Sequence, residues 1–250
     1  MVAKAAVPAS SPDATAGRRV WRGRAAPQYT SGPSGNTVRR WMIPAQQALQ
    51  RLQEGNRRFV AGDLSSDALA SPARRNAVVA DQRPFAIILG CSDSRVPAEI
   101  VFDQGLGDLF VIRVAGNVVA PSQIGSVEFA AEYFGTQLVV VLGHSRCGAV
   151  VATLDALTRR ESHPSRNLRS IVDRVRPSVE PLLEGGGAAD RDALVGRAVR
   201  ANVRASANQL RHGSEVLEQF VQQGRLLIVG AEYSLETGEV EFFDGMPAHS

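Results

Sequence analysis

A chain of 250 residues with 44% apolar content suits one globular domain, or two at most, with enough apolar side chains for a sizeable core. Its two cysteines cannot build a disulfide framework, and no apolar run reaches the roughly 20 residues of a membrane span. The net charge of +3 is a poor nucleic-acid signal, because Lys4, Arg18, Arg19, Arg22, Arg24, Arg39 and Arg40 stand against Asp13 alone up to Pro44. The rest of the chain is acidic and shows no basic cluster interleaved with aromatics.

Residues 1–43 are rich in Ala, Ser, Gly, Pro and Arg without a periodic apolar pattern. They read as a disordered or poorly ordered basic arm. The arginine-rich, acid-poor composition also fits a transit peptide, and Met42 offers an alternative start just before the first helix-forming stretch. From Pro44 to about Val60, Ala45, Ala48, Leu49, Leu52 and Phe59 make a helical apolar stripe interrupted at Gly55, with Pro44 in its first turn. Gln82 precedes the charge-free run 85–89, a buried parallel strand that ends in Gly90-Cys91-Ser92-Asp93-Ser94-Arg95. A short helix is expected over 97–102 and a strand over 108–114. Arg113, a charge at the end of that buried strand, needs a partner. Gly116-Asn117 is a turn pair, and a helix follows over 122–134.

The second charge-free strand, 138–143, runs straight into His144-Ser145-Arg146-Cys147-Gly148, and a helix continues over 149–157. After a polar break at 159–165, helical spacing holds from Leu168 to Val179. Gly185-Gly186-Gly187 reads as a flexible loop, and further helices span 194–210 and 216–221. A last buried strand covers 226–230, and 239–243 pairs beside its extension through the Glu236-Thr237-Gly238 turn. Strands alternating with helices predict a three-layer α/β domain over 44–250, its mostly parallel central sheet flanked by helices.

Each cysteine lies just past a buried strand, where ligands bind in open α/β sheets. His144 and Cys147 are three apart, so at a helix start they project from one face. If the two strands are neighbours, Cys91, His144 and Cys147 converge. Two thiolates and an imidazole are a donor set that zinc takes readily. A water or a carboxylate is left for the fourth position, and Asp93 is the nearest carboxylate. Asp93 either closes the site as that fourth ligand or turns away to pair with Arg95 in a charge-assisted bond.

Cys91-Ser92-Asp93-Ser94-Arg95 followed by Gly143-His144-Ser145-Arg146-Cys147-Gly148 resembles the β-class carbonic anhydrases of bacterial type. The similarity continues through 98–103, 107–110 and 113–117 and covers the chain from about Pro44 onward. The resemblance implies a β-carbonic anhydrase-like fold and a catalytic domain at 44–250. It implies a zinc lyase, a carbonate dehydratase with one zinc per chain, hydrating carbon dioxide reversibly to bicarbonate and a proton by attack of zinc-bound hydroxide. Asp93 and Arg95 would then orient or gate the site, and Gln82, Phe110 and the Gly148 N–H would bind substrate. Homodimers or homotetramers with the active site at the dimer interface are implied as well. One bacterial subtype carries a tryptophan three residues before the first metal cysteine, lining a regulatory bicarbonate site. Ile88 stands there in this chain, which tells against that site.

Two thiolates cancel the metal's charge, so its water should stay a weaker acid than in a three-histidine site. Activity is expected to rise from mildly acidic pH to an alkaline plateau. Other readings remain open. A related hydrolase of carbonyl sulfide or carbon disulfide shares the metal loop. A non-catalytic zinc or redox module would use Cys91 and Cys147 but has no need of Asp93 and Arg95. A serine hydrolase at Gly143-His144-Ser145 lacks the elbow motif. Metal-binding thiols must be reduced, which favours the cytoplasm, with organellar targeting by the arm left open.

Overall fold

The computed structural model describes residues 43–65, 71–159, 165–184 and 190–247. The basic arm expected over 1–43 lies outside the described residues apart from Ile43. So do residues 160–164 of the polar break and the glycine loop.

In chain order the elements are α1 (Ala45–Ala61), α2 (Pro72–Ala77), β1 (Ala86–Gly90), α3 (Ala98–Val101), β2 (Leu109–Arg113), α4 (Pro121–Tyr133) and β3 (Leu138–His144). There follow α5 (Gly148–Arg159), α6 (Arg166–Val179), α7 (Pro181–Glu184), α8 (Arg191–His212), α9 (Glu215–Gln222), β4 (Leu227–Tyr233) and β5 (Val240–Asp244). The five strands run in the order β2-β1-β3-β4-β5. The first four are parallel, and only β5 runs antiparallel, against β4. The mostly parallel sheet expected from the alternation of elements is therefore present.

Every residue of β1 and β3 is buried, which explains why their sequences are apolar without alternation: both faces are covered. Ile88, Val140 and Leu142 face one cluster, where Ala48, Leu49 and Leu52 of α1 pack. Ile87, Leu89, Val139 and Val141 face the other, closed by Val127 and Ala130 of α4 and by Val203, Ala207 and Leu210 of α8. Each such fully buried Leu, Ile or Val contributes roughly 1.5–3 kcal/mol, so the two central strands anchor the three layers.

Gly55 does not break α1. A Cβ there would lie 1.8 Å from the Phe102 carbonyl oxygen, so only glycine lets the helix come this close. Its neighbour Asn56 donates to the carbonyls of Val101 and Gly238 and accepts from the Val240 N–H. One buried amide thereby ties α1 to the end of α3 and to the β4–β5 turn.

The order of the strands places the site. From β1 the chain moves outward to the edge strand β2, while β3, on the other side of β1, leads on to β4. The loops leaving the carboxyl ends of β1 and β3 therefore diverge and open a crevice between them. No helix among the described residues is long and apolar enough to cross a membrane.

Candidate metal centre

Cys91 follows β1 directly, His144 ends β3, and Cys147 immediately precedes α5. β1 and β3 are hydrogen-bonded neighbours, with Gly90 opposite Leu142, so these loops start side by side. The donor atoms of Cys91, His144 and Cys147 lie within 4.8 Å of one another, and all three residues are buried.

The imidazole is oriented by its own loop. Its Nδ1 lies 2.9 Å from the Ser145 carbonyl oxygen, and a carbonyl only accepts, so Nδ1 carries the proton. Nε2 is left with its lone pair, buried and without a hydrogen-bond partner. A buried acceptor left unmet is costly unless something binds it. The sulfurs point to the same requirement. Hydrogen bonding from Cys147 holds the Cys91 thiol down to about 4, with the Gly116 N–H assisting against the upward push of burial. Cys147 is pushed up by its bond to the Cys91 sulfur, by burial and by the neighbouring charge. Two thiolates this close repel each other, and a divalent cation would hold both. Donor types, the orphaned Nε2 and the spacing all fit zinc.

Asp93 takes the second of its two expected arrangements. Its carboxylate accepts from Arg95 Nε at 2.9 Å and from a terminal Arg95 nitrogen at 2.7 Å, and from the Arg95 backbone N–H at 3.0 Å. The Arg95 guanidinium holds the Asp93 carboxyl well below the usual carboxylate range, against a smaller opposing effect of burial. An oxygen of this carboxylate stays 3.9 Å from His144 Nε2, beyond hydrogen-bond reach yet beside the donor triad.

The substrate-binding expectations divide. Gly148 opens α5 next to Cys147. Gln82 is exposed and precedes the amino end of β1, whereas Cys91 leaves its carboxyl end. Phe110 pairs with Ile87, four residues before Cys91, which is roughly 13 Å by strand rise. Its ring packs against Phe129 and Phe134. Within one chain, then, Gln82 and Phe110 do not reach the metal donors; they share the opposite end of the β1–β2 pair. Ile88 is fully buried in the sheet core.

Several supporting residues were not legible in the motifs. Arg113 finds the partner its charge requires: its guanidinium donates to the carbonyls of Cys91 and Asp93 and pins the first metal loop. Gly116 donates its N–H to Cys91 Sγ at 3.3 Å. In the second loop, Arg146 adopts φ +55°, a left-handed conformation that disfavours its side chain. Glu236 braces it there, pairing with Arg146 at 2.7 Å and accepting from Ser145 Oγ at 2.7 Å. Only Arg113 had a signal in the sequence, its charge at a strand end.

Comparison with known proteins matches residues 86–240 to the family model described as carbonic anhydrase. The chain is 42% identical to a carbonic anhydrase of Mycolicibacterium smegmatis over 209 residues, covering 84% of this chain and 94% of the relative. It is 40% identical to carbonic anhydrase 2 of Mycobacterium tuberculosis over 212 residues, covering 85% and 95%. Among solved structures, the β-carbonic anhydrase CafA of Aspergillus fumigatus superposes with a TM-score of 0.62 at 26% identity, covering 81% of this chain and 92% of that one. A tetrameric β-carbonic anhydrase of Sordaria macrospora shares the fold with a TM-score of 0.63 at 19% identity, covering 79% and 97%. With two metal loops of the kind described above set on this sheet, the chain belongs to the β-carbonic anhydrase family.

Proposed function

We propose that this chain hydrates carbon dioxide reversibly to bicarbonate and a proton, with one zinc held by Cys91, His144 and Cys147. The observation that carries the reading is the buried convergence of these three donors, His144 Nε2 unpartnered, beside a carboxylate clasped by Arg95. When bound, zinc supplies a Lewis acid that makes water a usable nucleophile near neutral pH.

The protein's part follows from its own groups. Asp93, fixed by Arg95, accepts a hydrogen bond from the reacting water and turns its lone pair toward carbon dioxide. The same carboxylate, released from Arg95, would swing onto the cation and close the site, a two-state gate. The Gly148 N–H, at the start of α5, suits an anionic product oxygen. Gln82 and Phe110 complete a pocket only if a second copy presents them, so the working unit is a homodimer or a pair of dimers. Reduced, metal-binding thiols suit a cytoplasm-like compartment, and residues 44–250 form the catalytic unit. The names of the relatives favour carbon dioxide over carbonyl sulfide or carbon disulfide as substrate.

The test is zinc content together with carbon dioxide hydration between roughly pH 6 and pH 9, bracketing the metal-water range. Wild type should hold one zinc per chain and gain activity toward the alkaline side. Cys147→Ser should lose both metal and activity. Full zinc retention in that variant, or faster turnover of carbonyl sulfide than of carbon dioxide, would overturn the assignment.

A further inference from the structure

The buried stripe of α8 is apolar, carrying Ala198, Val199, Val203, Ala207 and Leu210 among others, with two exceptions. Asn202 and Ser206, one turn apart, are 2% and 5% exposed. Both reach the same loop. Asn202 Nδ2 donates to the Gly116 carbonyl at 2.8 Å, and Ser206 Oγ donates to the Asn117 carbonyl at 3.0 Å.

That loop also supplies the Gly116 N–H to the Cys91 sulfur. It is not a conformation the backbone would hold unaided. Gly116 has φ +68° and Asn117 φ +43°, two successive residues in the left-handed region. A Cβ on Gly116 would lie 3.0 Å from the Ala149 Cβ, so the loop is pressed against the start of α5, beside Cys147. The amide of Asn202 anchors the residue whose own N–H reaches the sulfur.

We propose that Asn202 is a positioning residue of the metal centre: it holds Gly116 so that the Gly116 N–H stays on the Cys91 sulfur and draws charge from it. This rests on the zinc reading above. A donor on a ligand sulfur withdraws electron density the metal would otherwise receive, and such outer groups tune both affinity and reactivity. A mere stitch between helix and loop would change stability alone; a positioning role leaves a signature on the metal.

Load wild type, Asn202→Asp, Asn202→Ala and Leu210→Ala with cobalt(II), and record the thiolate-to-metal charge-transfer band in the near ultraviolet. Measure zinc affinity of the same proteins by competition with a chromogenic chelator. Both Asn202 variants should move the band to lower energy, because the sulfur becomes a stronger donor, and should weaken zinc binding about tenfold, because the loop no longer holds that sulfur in place for the metal. Leu210→Ala loosens the same helix two turns beyond Asn202 and should do neither. Folded Asn202 variants with an unchanged band and affinity overturn the inference while leaving the zinc site intact. Should neither variant fold, wild type decides through Gly116 amide exchange, which should be slow in the zinc-loaded protein; free exchange there overturns the inference. A wild type that takes up no cobalt overturns the metal reading and this inference with it.

Discussion

Arg95 grips both oxygens of Asp93 yet is itself exposed. An exposed pair of this kind adds little to the fold, so its value has to be sought in the site. In Arg95→Ala, Asp93 loses its partner and the cation becomes its nearest counter-charge. The variant should keep its zinc and its melting temperature while losing most hydration activity. Wild-type turnover in zinc-replete Arg95→Ala would remove the pair from the mechanism. The convergence of Cys91, His144 and Cys147 was legible in the sequence because Cys91 and His144 each follow a charge-free run and Cys147 stands three residues beyond His144. Gln82 and Phe110 were legible only as family positions, since one sequence does not say which end of which strand meets a neighbouring chain. Glu236 and Asn202 act across long sequence separations, and nothing adjacent to them marks that role.

The contact of α1 with α3 carries its own pH dependence. Asp103, just past α3, has a side chain fully shielded from solvent and φ +47°. Burial pushes its carboxyl up, but Arg58 and the Ser65 N–H outweigh that and hold it below the usual range. The folded state therefore binds fewer protons here than the unfolded chain. The stabilisation is complete above the ordinary carboxylate pKa of about 4 and is lost as pH falls below it. Asp103→Asn, which tolerates the left-handed backbone, should cost about 1–3 kcal/mol at neutral pH and flatten the acid limb of the stability curve. Urea unfolding at several pH values measures both; an unchanged acid limb would falsify this account. Strands and long helices were readable from charge-free runs and helical stripes to within three residues at each end. The helix Pro72–Ala77 was missed: Ser71 caps it and Pro72 opens it, but it is six residues long and buries none of them, so no apolar stripe announces it.

On the scale of the whole molecule, β2 forms one edge of the sheet and is unpaired on that side among the described residues, with Phe110, Val111 and Ile112 only partly covered. Phe129 on the neighbouring helix is 37% exposed. If a second copy brings Gln82 to the metal loops, defects in different parts should complement. Chains with Gln82→Ala and chains with Cys147→Ser, each nearly inactive alone, should recover on mixing. An equal mixture should reach roughly a quarter of wild-type turnover, because half the dimers are mixed and each has one whole site. Failure to recover after confirmed subunit exchange would place Gln82 outside the site. A chain starting at Met42 should match the full-length protein in folding and turnover, and a collapse in either would make the arm part of the enzyme.

The pairing of β1 with β3 also sets a timetable. The chain leaves β1, builds β2 and α4, and only then returns to lay β3 alongside, so the two halves of the donor set meet through a non-local contact. Such contacts form late, after local helices, because the intervening loop must first be closed. During refolding, zinc capture should lag behind the helical signal, and a chelator added early should leave helix formation untouched. Once captured, the ion favours the native state by mass action, about 2.7 kcal/mol when free zinc is a hundred times its dissociation constant. The lifetime of the folded protein thereby becomes a function of metal supply.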